Sequence, residues 1–144
     1  MNTGASLEYQ QHSIFMIKSS GVVNLNLRYE KIPALSADQI ESGLFGAGMP
    51  KEGQGHLVYA AVYNLDEAAV VRILRRVLTE REVDIQLLAL DAIEAFMQSR
   101  RTVFGAKDLK ISVGKFATEN PEYAGVAAST LAAISEFEEM FTLS

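Results

Sequence analysis

The chain has 144 residues, 49% of them hydrophobic, no cysteine and a formal net charge of −5. That length suits a single domain over residues 1–144, able to bury roughly 68–70% of its unfolded surface. The lack of cysteine excludes disulfides and thiolate metal sites and suits a reducing compartment. An acidic chain without clustered Lys/Arg is a poor match to a nucleic-acid binder, which must displace counterions, and no apolar run approaches the roughly 18 residues of a membrane span.

Met1–Tyr9 carries neither a basic flank nor an apolar run, so no signal peptide is expected and the predicted location is cytoplasmic. Ile14-Phe15-Met16-Ile17 is a short apolar run followed by turn chemistry at Lys18–Gly21. Val23, Leu25, Leu27 and Tyr29 then alternate with Asn24, Asn26, Arg28 and Glu30, the period-two signal of a strand. The segment 1–35 is therefore expected to hold a β-hairpin leaning on the helical body 36–144, because a lone hairpin is marginal in water.

Ser36 and Gln39 fit a capping box, and Ile40, Leu44 and Phe45 give the short helix after it an apolar side. Gly46–Gly55 is glycine-rich. A phosphate loop would need a preceding strand and a Gly-Lys-Ser/Thr ending, so the stretch reads as a plain connector. A helix is expected to restart after Gly55, with Leu57, Ala60, Ala61 and Asn64 on one face. His56 at its start has no partner at metal-ligand spacing, so no metal and no cofactor is expected.

Asn64–Glu67 is a second cap signature, followed by Val70, Ile73, Leu74, Val77 and Leu78 at helical spacing. Arg72, Arg75, Arg76 and Glu80 take the other side, the pattern of a solvated face. Thr79–Glu82 resembles a third capping box. It predicts a break there rather than one helix from Asp66 to Gln98, since Arg81 stands where an apolar stripe would need a hydrophobe. Val83–Met97 is apolar on most of its circumference, as a helix inside other helices is. Its polar residues are few, and Asp84, Asp91 and Gln98, seven apart, form one narrow row. Ser99–Gly105 leaves this central helix. Leu109, Val113, Phe116 and Ala117 outline the next, weakened by Gly114. Asn120 and Pro121 are expected to cap and open the last, with Val126, Ala127, Leu131, Ile134 and Phe137 inward.

Ala89-Leu90-Asp91-Ala92-Ile93-Glu94-Ala95-Phe96 and Thr130-Leu131-Ala132-Ala133-Ile134-Ser135-Glu136-Phe137 share their spacing of Leu, Ala, Ile and Phe. Each follows an amphipathic helix and a short polar turn. Two helices per unit at a period of roughly forty residues resembles HEAT repeats. The openings Glu82–Gln86 and Glu122–Val126 resemble second-helix starts of that family, and Gln39–Phe45 with His56–Asn64 resembles a degenerate earlier unit. The implied fold is mainly α: antiparallel helix pairs in a HEAT-like right-handed stack, preceded by the hairpin.

The same resemblance implies that second helices line the surface where partners bind. Asp84, Asp91, Glu94 and Gln98 on one, with Glu122, Ser129 and Glu136 on the other, would then share a mainly carboxylate face suited to a basic protein. Catalysis is not expected: Asp91 and Glu94 are three apart, but no nucleophile motif or Ser/His pairing accompanies them. A small acidic helical-repeat chain of this kind resembles bacterial immunity proteins, including those of contact-dependent growth inhibition, which neutralise a cognate toxin by tight binding. The implied partner is a basic toxin domain, with no nucleic acid and no membrane. The alternative function is a non-catalytic scaffold or regulatory adaptor binding a peptide or a partner subunit.

Overall fold

Six helices follow from residue 37 onward: α1 (Ala37–Phe45), α2 (Lys51–Asn64), α3 (Glu67–Glu80), α4 (Val83–Arg100), α5 (Ala106–Glu119) and α6 (Ala124–Thr142). This computed structural model describes residues 35–142 and, before them, only the backbone of Ser13–Lys18 and Gly21–Asn26. How the hairpin expected there packs on the helical body lies outside the described residues. Among the described residues the fold is mainly helical, and no helix is long and apolar enough to cross a membrane.

The capping box of α1 forms as expected. Ser36 Oγ accepts from the Gln39 amide at 3.1 Å, and the Ser36 amide donates to Gln39 Oε1 at 2.9 Å. The glycine-rich stretch does not stay a connector throughout. α2 starts at Lys51, so Gly53, Gln54 and Gly55 are helical and His56 lies exposed inside the helix rather than at its start. Packing outweighs the helix-breaking tendency of glycine here. A Cβ at Gly55 would sit 3.1 Å from Leu88 Cδ1, so the missing side chain lets α2 lie close against α4. Leu57 to Val62 are all buried, so α2 is buried on far more than the single face predicted.

Three further caps differ in detail. Asp66, not Asn64, opens α3, accepting from the Ala69 amide at 2.8 Å. The break between α3 and α4 is present, at Arg81 and Glu82, but without the expected capping box. Thr79 instead donates to the Arg75 carbonyl, and the buried Gln86 of α4 reaches back to the Leu78 carbonyl at 2.7 Å. That bond satisfies one of the acceptors left open in the last turn of α3. Pro121–Tyr123 forms a single 3-10 turn before α6. Asn120 closes α5 by donating to the Phe116 carbonyl, and does not cap the helix that follows.

Contacting residues show how the helices stack. Glu41 meets Arg72 and Arg76, at sequence separations of 31 and 35, and Arg75 meets Ser112 at 37. These contacts run α1, α3 and α5 side by side as one layer. Lys51 meets Asp84 at a separation of 33, Tyr59 meets Asp91 at 32, and Thr130 meets Glu94 at 36. They form a second layer of α2, α4 and α6. Partner positions advance together along each pair: Glu41 with Arg72 and Phe45 with Arg76, Val71 beside Gly105 and Arg75 with Asp108, Lys51 with Asp84 and Tyr59 with Asp91, Glu94 with Thr130 and Arg101 with Phe141, so neighbours within a layer are parallel. Consecutive helices are antiparallel across the layers. α4 sits at the middle, touching α2, α3 and α6. Its residues Ile85, Leu88, Ala89, Ala92, Ile93, Phe96 and Met97 are all fully buried, as its nearly continuous apolar sequence predicted. Arg100 at its end donates to the Val62 and Leu65 carbonyls, both at 2.5 Å, and so closes the C-terminus of α2 with a cation.

Candidate functional site

The polar row of α4 faces away from the first layer. A helix turns about 100° per residue, and Gln86 marks the side toward α3. Asp84, Asp91 and Gln98 lie about 140° round from it on the same wheel. Asp91 and Gln98 are exposed there. Asp84 is not, which corrects the expectation that it faces outward. Its residue is 7% exposed, and its carboxylate accepts from Lys51 Nζ at 3.1 Å. The cause is the early start of α2, which puts Lys51 on the first turn against α4. The Asp84 carboxylate holds the Lys51 ammonium above its ordinary pKa. Glu82 adds a weaker contact at 3.7 Å.

Deeper along the row, buried Tyr59 of α2 donates its hydroxyl to Asp91. Burial, and then the Asp91 charge, push that phenol well above the usual tyrosine range. Tyr59 therefore stays protonated and fixes the orientation of an exposed carboxylate. Glu94, half-buried, accepts from the hydroxyl of Thr130 on α6 at 3.3 Å. Burial raises the Glu94 carboxyl above its ordinary pKa, the Thr130 bond opposes this, and the charges of Asp91 and Glu136 raise it further. α4 and α6 thus bring Asp91, Glu94 and Glu136 into one electrostatic group. None of the three forms an ion pair among the described residues.

Ser129 and Glu136, seven apart, share an exposed stripe of α6. Glu122 is exposed in the 3-10 turn before the helix and not on the helix itself. Tyr59 and Thr130 are the site residues that sequence reading missed. Thr130 opens the stretch Thr130–Phe137 that shares the spacing of Ala89–Phe96, at a position where the matching residue of α4 is the buried Ala89. A threonine at a core position of a helix was the available signal, since a buried hydroxyl needs a partner.

The shifted carboxyl has a measurable consequence. Its folded-state pKa lies above the unfolded one, so the native state holds the extra proton in between. Stability then falls as pH rises through that range, and the deficit is fully present above the folded-state pKa. Glu94→Gln keeps an acceptor for Thr130 and removes the charge. It is expected to raise stability at pH 7 by no more than about 1 kcal/mol, and to give no gain below pH ~4, as read by urea denaturation at both pH values. A loss at pH 7 would contradict the direction.

Among the described residues no three His, Asp or Glu side chains are grouped to hold a metal ion. The basic trio of α3 is also placed. Arg72 and Arg76 bind Glu41 of α1 at 2.6 and 3.2 Å, and Arg76 also pairs with Glu80 at 2.9 Å. The face is solvated, as the sequence predicts, and ion pairs also lace it to the neighbouring helices of the first layer. No family model matches the chain, and no curated protein and no solved structure matches it either.

Proposed function

We propose that this chain is a protein-binding inhibitor of the immunity type, built as a HEAT-like right-handed stack and acting in the cytoplasm. Its second helix layer would neutralise a basic toxin domain by tight complex formation. The observation that carries the reading is the group Asp91, Glu94 and Glu136. Asp91 and Glu136 each act on Glu94 by like charge across two helices, no described cation pairs with the three, and burial, with those charges added, raises the Glu94 carboxyl above its ordinary pKa. A cationic side chain from a partner would relieve that repulsion, and the exposed carboxylates would speed its approach. The parallel stacking of successive helix pairs supports the repeat reading. Gln98, Ser129 and Glu122 extend the polar surface around the group. Asp84 belongs to it only as the buried anchor of Lys51.

The test avoids Asp84, because a lysine there would place a second cation beside Lys51 and damage the fold. Asp91→Asn, which keeps an acceptor for Tyr59, is combined with Glu136→Lys. A partner captured from the native cell is purified and titrated against both forms. A basic partner bound one-to-one is expected, with an association rate that falls as salt rises and an affinity at least about tenfold weaker for the variant. An affinity unchanged by the two substitutions, or a partner without basic character, would remove the proposal.

A further inference from the structure

A groove of about 690 Å³ opens between α3 and α5, within the first helix layer. Val71 and Ala68 contribute its apolar wall, and Phe104, 47% exposed, stands at its edge. Arg72, Arg75 and Arg76 also line it, but their donors are used very differently. Arg72 places both Nε and Nη2 on Glu41. Arg76 spends Nε and Nη2 on Glu80 and Nη1 on Glu41. Arg75 makes one side-chain hydrogen bond among the described residues, a 3.3 Å contact from Nε to Ser112 Oγ, and its Nη1 lies 3.8 Å from Asp108 Oδ2. A guanidinium has five N–H donors in a fixed fork. Among the described residues both terminal nitrogens of Arg75 are therefore without a hydrogen bond, beside an open, partly apolar cavity.

We propose that this groove is a binding site for a monocarboxylate joined to an apolar or aromatic group. The carboxylate would take the two terminal nitrogens of Arg75 side by side, the geometry that favours arginine over lysine. The apolar part would lie over Ala68 and the open face of Phe104. Asp108 limits the site to a single negative charge, because a dianion would meet it at close range. A cavity of this size falls within the usual range for small ligands, about 300–1,000 Å³. The site lies on the opposite layer from the carboxylates of α4 and α6, so it stands or falls independently of the immunity reading.

The experiment titrates the isotope-labelled full chain with two probes, followed by amide and arginine Nε resonances. One probe is 3-phenylpropionate, a free acid; the other is the peptide acetyl-Leu-Glu-Leu-amide, which carries its carboxylate on a side chain. At least one is expected to give saturable shifts confined to Arg75, Phe104, Gly105, Asp108 and Ser112. Whichever saturates identifies the source as a free acid or a peptide. Arg75→Gln is expected to weaken that probe about tenfold or more. Asp108→Asn is expected to tighten it about two- to fivefold by removing the competing carboxylate, a gain that a merely structural role for Arg75 would not produce. No saturable shift with either probe, or equal binding by Arg75→Gln, overturns the proposal.

Discussion

Phe96→Ala is expected to cost about 3–5 kcal/mol, one of the two largest effects foreseen for this chain. Phe96 is fully buried on α4, the helix that touches α2, α3 and α6. Removing its ring leaves a cavity where two layers meet, and the helix backbone on either side cannot collapse to fill it. The guanidinium of Arg100 also lies 5.7 Å from the ring centre, so the clasp that closes α2 loses a neighbour. Total stabilities of single domains are about 5–15 kcal/mol, so the variant should unfold at a much lower urea concentration or fail to accumulate as folded protein. Phe104→Ala serves as the contrast, since Phe104 is 47% exposed and its loss should cost less than about 1 kcal/mol. Similar midpoints for the two variants would mean that Phe96 does not occupy the core.

Gly105→Ala should be nearly as damaging, for a different reason. Gly105 adopts φ +73°, a left-handed conformation, immediately before α5. A Cβ there would lie 2.6 and 2.9 Å from the two methyl carbons of Val71 on α3. Valine is stiff about its first side-chain torsion and cannot swing clear. Backbone strain and overpacking together are expected to cost about 2–4 kcal/mol. Val71→Ala in the same chain should recover the steric part but not the backbone part. The double variant should therefore be more stable than the sum of the two singles predicts. Strict additivity of the two losses would show that α3 and α5 do not approach as closely as described.

Much of the helical framework was legible because burial on one side leaves a periodic trace. Val70, Ile73, Leu74 and Val77 announced α3, and the unbroken apolar run of Val83–Met97 announced a helix enclosed by others. Boundaries were less legible. The sequence puts the start of α2 too late because glycine signals a connector locally, whereas the close approach of α2 to α4 at Gly55 and Leu88 favours glycine inside the helix. Asn64 and Asn120 both looked like N-caps. Each instead donates from Nδ2 to the carbonyl four residues before it, closing the helix it ends.

By itself the sequence determined a helical body, the break at Arg81, and a polar row along an otherwise apolar central helix. These depend on local periodicity and on side-chain polarity, which are written in consecutive residues. Only the tertiary structure decided which carboxylates of that row remain open to a partner. Asp84 and Asp91 look equivalent in sequence. One is buried under Lys51 and the other is held outward by Tyr59, because each meets a different residue of α2 at a separation of more than thirty positions. The same holds for Glu94, whose carboxyl is raised first by burial, while Thr130 and Glu136 of a helix that the sequence places two elements away oppose and add to that shift. Electrostatic environment is set by neighbours in space, and no local pattern encodes which neighbours those will be.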